Sequence, residues 1–211
     1  CRVESRSGQT LTAAALQRTQ IQSANFTHAV MNSADFSRST ISDTNFSYGR
    51  LRSSAFGNAR FERVEFIESL MSKSRFNRAV INNTSFLHAS LEEAVFYNVK
   101  IKAVDFSHAN LNNSQFERSQ VTDSAFISAT AKQLNFEDSV LENVNFTGAD
   151  LSGASFKNSE LVNVQFQNAD LSKANFSDAN FINVEVNGAD LSSTIWTDYK
   201  RCRLGSMGVC R

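Results

Sequence analysis

Six side chains carry most of the reactive chemistry available to this sequence: His28, His88 and His108, and Cys1, Cys202 and Cys210. The histidines are separated by whole multiples of twenty residues, and Tyr48 and Glu68 fall on the same spacing. Imidazoles near a carboxylate could bind a metal or move a proton. Nothing else supports that chemistry. There is no Gly-rich phosphate loop, no nucleophile set apart beside a base, and no segment that would build a pocket over the histidines. A solvated stripe is the stronger reading, and no catalytic residue, metal site or cofactor is assigned.

Cys202 and Cys210 are close enough in sequence to close a short disulfide loop. As a zinc site the pair is poor, lacking a nearby His and a fourth ligand. Cys1 is then the odd thiol, at the position where a bacterial lipoprotein carries its thioether lipid. It is the expected lipidation site, a fragment boundary being the plainer alternative. A paired tail with one lipid-bearing cysteine suits an oxidising envelope compartment. The chain carries 21 basic and 21 acidic residues, so no general attraction to nucleic acid is expected. It has no proline, and no apolar run long enough to span a bilayer.

The framework that would hold these residues is written in one period. Counting by fives from Leu16 to Trp196, every position is apolar, without an insertion or deletion. All 18 phenylalanines are on these centres, and every centre from Phe26 to Phe176 whose number ends in 6 is Phe. The intervening centres are mainly aliphatic, with Ala131 the smallest. Two residues before each centre stands Ala, Ser, Thr, Gly or Val, except at Leu134. A small centre three residues before a large neighbour is volume compensation, as a close-packed interior requires.

A strand alternates its side chains, so a centre and the residue two before it point the same way. Small and polar residues then turn the chain, so that the next centre again faces inward. Four sides per coil place Phe26, Phe46 and Phe66 in one column and Phe36, Phe56 and Phe76 in the opposite one. Three sides would mix Phe and aliphatic residues in every column, so the alternation favours a square solenoid.

The units "ANFTH", "ADFSR", "ANLNN", "GADLSGASF" and "NADLSKANFSDANF" resemble those of the pentapeptide-repeat family. The resemblance implies an all-β fold, a right-handed quadrilateral parallel β-helix of about nine coils, roughly 43 Å long. The expected organisation is an N-terminal tether and cap over residues 1–13, the β-helix over 14–196, and a C-terminal cap over 197–211. Residues 10–18 are expected to form a short helix or an irregular first coil. The Trp and Cys arrangement of the tail is similar to that of exported members. The family's known activity as a DNA mimic protecting DNA gyrase from quinolones is one functional expectation. It fits poorly here, because residues 1–100 hold 12 basic against 8 acidic residues.

Two surface features complete the reading. Ile67, Leu87 and Ile127 follow their centres where polar residues are usual, and with Tyr48, His88 and His108 they form a candidate partner strip. On the opposite side Arg38, Asn58, Arg78, Asn98 and Arg118 form a ladder that reads as solvated surface. Charge changes along the chain: residues 101–190 hold 5 basic against 12 acidic residues, and residues 191–211 hold 4 against 1. The expected function is a non-catalytic scaffold, a bacterial cell-envelope lipoprotein anchored to the membrane through Cys1. Its partners would be other proteins, such as subunits of an envelope or secretion assembly, and an exported effector binding host proteins is the further alternative.

Overall fold

The computed structural model describes residues 7–211, so Cys1 and its expected lipidation lie outside the described residues. Each coil takes twenty residues and has four walls. The first, here called the strand wall, contributes one three-residue strand per coil: β1 (Gln20–Gln22), β2 (Thr40–Ser42), β3 (Arg60–Glu62), β4 (Val80–Asn82), β5 (Lys100–Lys102), β6 (Gln120–Thr122), β7 (Val140–Glu142), β8 (Glu160–Val162) and β9 (Asn180–Ile182). These nine strands form one parallel sheet in sequence order. Register is a strict twenty, as in Ile21↔Ile41↔Phe61. The second, third and fourth walls pair through single parallel bridges with the same spacing, such as Asn25↔Asn45, Val30↔Arg50 and Asp35↔Ala55.

The interior confirms the two phenylalanine columns. Phe26, Phe46 and Phe66 stack with centroids 5.0 Å apart, and Phe46 and Phe66 lie within 10° of parallel. Phe36 and Phe56 repeat this in the facing column, also at 5.0 Å. The columns meet edge to face, as Phe36 and Phe46 do at 5.8 Å and 87°. Both arrangements suit the ring quadrupole. The rings of Phe26 to Phe176 on these columns are fully buried. Many inward-facing hydroxyls donate to backbone carbonyls, either of the preceding coil, as Ser54 does to Met31 O and Ser114 to Leu91 O at 2.8 Å, or of the same coil, as Ser69 does to Phe66 O at 2.7 Å, while Ser74 Oγ has no such partner. Such bonds remove most of the cost of burying them.

The corners have a conformation the sequence does not announce. The second residue after each centre up to Leu191 is left-handed, with φ of about +47° to +71°, and most of these residues are not glycine. From Gly8 to Ser193 no such corner holds Val, Ile or Thr, the side chains that tolerate positive φ least. On three walls the corner generally closes as a hydrogen-bonded turn, as from Ala29 N to Phe26 O at 3.0 Å, although Val99 N and Ser119 N donate instead to Ser119 Oγ and Ser139 Oγ. After the strand wall a buried hydroxyl of the next coil can take that amide instead, as Ser124 Oγ accepts from Val104 N at 3.1 Å. The Asn or Asp just before many centres accepts the amide two residues on, as Asp35 does from Ser37 N at 2.8 Å. This Asx bond fixes the entry to the corner.

Residues 10–18 form a first coil rather than a helix, and that coil is regular. Thr10 and Ala15 already pair in parallel with Val30 and Asp35, and Ala13 and Arg18 already occupy left-handed corners. Coil geometry thus begins on the N-terminal side of residue 14, because Leu11 and Leu16 continue the apolar period. At the other end the chain reverses. Ile195 pairs antiparallel with Arg201 and Asp190 with Met207, and Cys202 is bonded to Cys210 with Cα atoms 4.8 Å apart. Trp196 packs against Phe176 and Phe181 at the end of the bore.

Candidate interaction surface

The edge between the second and third walls gathers the histidines. Each sits at a left-handed corner, so its ring projects from the rod and is exposed. His28 stacks on Tyr48 at 4.9 Å and 12°, and His88 on His108 at 4.8 Å and 17°. Glu68 occupies the rung between the two pairs. Among the described residues no three His, Cys, Asp or Glu side chains come together as a metal-binding group. The stacked rings instead form a flat, amphipathic edge able to contact another surface.

The apolar residues beside this edge are divided. Ile67 and Leu87 lie on consecutive rungs and are half-buried, while Ile127 is exposed two rungs beyond Leu87. Ser107 intervenes and is itself buried. Tyr48 is 46% exposed and its amide donates to Ile67 O at 2.9 Å, which joins the aromatic edge to the aliphatic patch. The structure therefore brings Tyr48, Ile67, Leu87, His88 and His108 into one neighbourhood and leaves Ile127 as an outlier.

A second apolar surface, missed by sequence reasoning, lies on the C-terminal cap. Leu204 is 84% exposed, and Tyr199, Met207 and Val209 are also exposed. Loss of the five-residue period after Trp196 was the available signal, since residues outside the period have no assured place inside the bore. Lys200, Arg201, Arg203 and Arg211 are exposed on the same cap segment and give it positive charge.

The walls otherwise carry short polar contacts. Arg63 pairs with Asp43 on the rung before it at 2.7 Å and holds that carboxyl below the ordinary carboxylate range. Asp43 and Arg63 are surface groups, so this contact mainly orders the corner. Burial raises the Asp150 carboxyl, but hydrogen bonds from Ser152 and Lys132 outweigh it and leave the net shift downward. Open hollows beside Arg18 and Arg38, and beside Arg50 and Arg52, are shallow features of the outer walls.

The geometry has counterparts of known structure. HetL, a protein involved in heterocyst differentiation regulation in the cyanobacterium Nostoc, is 19% identical, with 93% of this chain and 94% of HetL covered and a TM-score of 0.53. QnrB1, a plasmid-mediated fluoroquinolone resistance protein, is 16% identical in a trypsin-treated variant form, with 87% and 89% covered and a TM-score of 0.68. At these identities the likeness is one of fold. No curated protein sequence matches the chain. The sequence does match the pentapeptide repeat region family over residues 69–146 and 119–203, and the pentapeptide repeats (8 copies) family over 11–47 and 19–58. With that match and the four-walled coil in agreement over nearly the whole length, this chain belongs to the pentapeptide-repeat family.

Proposed function

We propose that this protein is a non-catalytic scaffold that binds other proteins, anchored in a bacterial cell envelope through a lipid on Cys1 and serving as an accessory subunit of an envelope or secretion assembly. The observation that carries the reading is the amphipathic edge of Tyr48, Ile67, Leu87, His88 and His108, mounted on a rod with a close-packed interior. Such a rod presents surface residues at fixed heights with little ordering cost on binding. The Cys202–Cys210 bond supports an oxidising compartment. Several acyl chains on Cys1 would hold the rod at a membrane.

The likeness to QnrB1 favours a protector of gyrase as the alternative, through the acidic stretch of residues 101–190. The net basic first hundred residues oppose it, because a DNA mimic needs negative potential along its whole length. A supercoiling assay with added quinolone separates the two, since rescue by stoichiometric protein would favour the alternative. The scaffold reading is tested by affinity capture from detergent-solubilised membranes, with wild-type protein and an Ile67→Glu/Leu87→Glu variant. Envelope proteins retained only by the wild type support it, and identical capture by both removes the strip from the account. Intact mass of the native protein tests the anchor, which an unmodified Cys1 would exclude.

A further inference from the structure

The edge between the fourth wall and the strand wall lies diagonally across the rod from the histidines, and its charges are ordered. Read along the rod, its corners are Arg18, Arg38, Asn58, Arg78, Asn98, Arg118, Asp138, Asn158 and Asp178, with Asp198 next in the count at the cap. The arginines run from Arg18 to Arg118, one rung past the midpoint, and the aspartates follow from Asp138. The amides of Arg38, Arg118 and Asp138 each donate to the carbonyl nineteen residues on, so these corners share one column.

We propose that two copies of this chain associate side by side and antiparallel through this edge and the adjoining strand wall. A two-fold axis between β5 and β6, perpendicular to the rod, sets Arg38 opposite Asp178 of the second copy. The same axis sets Arg78 opposite Asp138 and Asn58 opposite Asn158. On the strand wall it brings Arg60 of β3 to Glu160 of β8 and Val80 of β4 to Val140 of β7. Val140 is an exposed apolar residue of this wall, and the second copy's Val80 covers it.

The register is specific. Slipping the two copies by one rung, with the axis moving toward the C-terminus, sets Arg118 against its own copy. The opposite slip sets Arg78 against Arg118. Like charges in direct contact oppose both slips, so the pattern selects one alignment as well as favouring it. Shape agrees with charge. An open hollow of about 610 Å³ lies beside Arg18, Arg38 and Asn58. Tyr199 is 64% exposed, donates its hydroxyl to Asp178 of its own chain, and in this register faces the rungs that border the hollow of the second copy. A strip roughly 43 Å by 15 Å buries about 1,300 Å² in total, within the range of specific interfaces.

Within one chain the charges are only partly engaged: Arg118 also donates to the Tyr97 hydroxyl at 3.1 Å, and Asp178 accepts from Tyr199, but all remain exposed. Arg118 and Asp138 approach only to 3.7 Å, with side chains 63% and 47% exposed. Asp138 also accepts from Asn158 Nδ2 at 3.3 Å. Arg18 and Arg38 occupy neighbouring rungs with like charge, and so do Asp178 and Asp198, so a complementary neighbour relieves repulsion at both ends. The association leaves the Tyr48–His108 edge outermost on each rod and is independent of what that edge binds.

Sedimentation velocity of the full chain tests the proposal. A dimer is expected at about 50 mM salt and mostly monomer at about 500 mM, as screening predicts. Arg38→Asp alone should weaken dimerisation by at least about tenfold. The double variant Arg38→Asp/Asp178→Arg should restore it, because both symmetric contacts invert together. Both sites are exposed positions, and circular dichroism checks that the coil is unchanged. In a Cys1→Ser background, mixing Asn58→Cys with Asn158→Cys should give a crosslink between the two variants and none within either alone. A monomer at every salt, failure of the double reversal, or a 58–58 crosslink would each overturn the proposal.

Discussion

Ala131 and Leu134 share one space: both are fully buried, three residues apart, where other coils place a large centre and a small partner. The neighbouring ring records the exchange. Phe136 is turned 41° from Phe116, and its centroid stands 5.7 Å from Phe156, while most rings in that column are near 5 Å apart and nearly parallel. Leu134→Ala should therefore open a void and cost about 2–5 kcal/mol. Ala131→Leu should overfill the site at about 1–3 kcal/mol. The double exchange should recover most of the loss, and denaturant melts of the four proteins measure the coupling directly.

Left-handed corners predict an unusual tolerance. Asn113 has φ +59°. Asn113→Val should cost about 1–2 kcal/mol because a branched Cβ meets the following carbonyl. Asn113→Gly should stay within about 1 kcal/mol of wild type, since relief of strain opposes the added freedom of the unfolded chain. Thermal midpoints of both variants give the comparison.

Acid should weaken the rod through its Asx carboxylates. Asp35 is raised by burial and lowered more strongly by hydrogen bonds from Ser37 and Gln17, and Asp150 behaves alike with Ser152 and Lys132. A folded-state value below the unfolded one stabilises at every pH above the unfolded value, about 3.9. That contribution disappears as pH falls through the lowered value. Stability should be level from neutral pH to about 5 and drop below about 4. The Asp35→Asn/Asp150→Asn variant keeps both turn acceptors, so it should lose less stability than wild type between about pH 7 and about pH 3.

The bonded cap should be a local lock. Leu191 N donates to Ser206 O and Ser193 N to Cys202 O, so the last full coil depends on the returning tail. Replacing Cys202 and Cys210 with Ser should cost about 2–3 kcal/mol in the chain-entropy view of a short loop. Hydrogen exchange should quicken first at the amides of Leu191 and Ser193, and only later near Phe96. Uniform acceleration along the rod would show that the cap governs global stability instead.

Much of this fold is legible because burial has a single period. Phe46 and Phe66 are twenty residues apart, and no insertion disturbs the count between them. The corner at His28 was not legible, since backbone sign leaves no mark on a residue that is polar in either case. Its traces are the exclusion of Val, Ile and Thr from that position and the frequent Asn, Asp, His and Gly there. The Asx bond of Asp35 was hidden for a similar reason, because Asn and Asp are common on any solvated turn. Residues 10–18 admit two readings in sequence, because Ala13, Ala14 and Ala15 suggest helix whereas Leu11 and Leu16 follow the coil, and burial of the period decides for the coil. The candidate edge was legible as types and spacing, but Ser107 separating Ile127 from Leu87 depends on burial.

A strict twenty-residue lap makes residue number a compass bearing as well as a height. Deleting one whole lap from the middle would shorten the rod and leave each remaining side chain facing its old direction. Removing five residues would keep every Phe and aliphatic centre inward while swinging all later surface groups through a quarter turn. Length and orientation can thus be changed separately by counting residues, a freedom that globular cores, with contacts tied to irregular loops, do not possess.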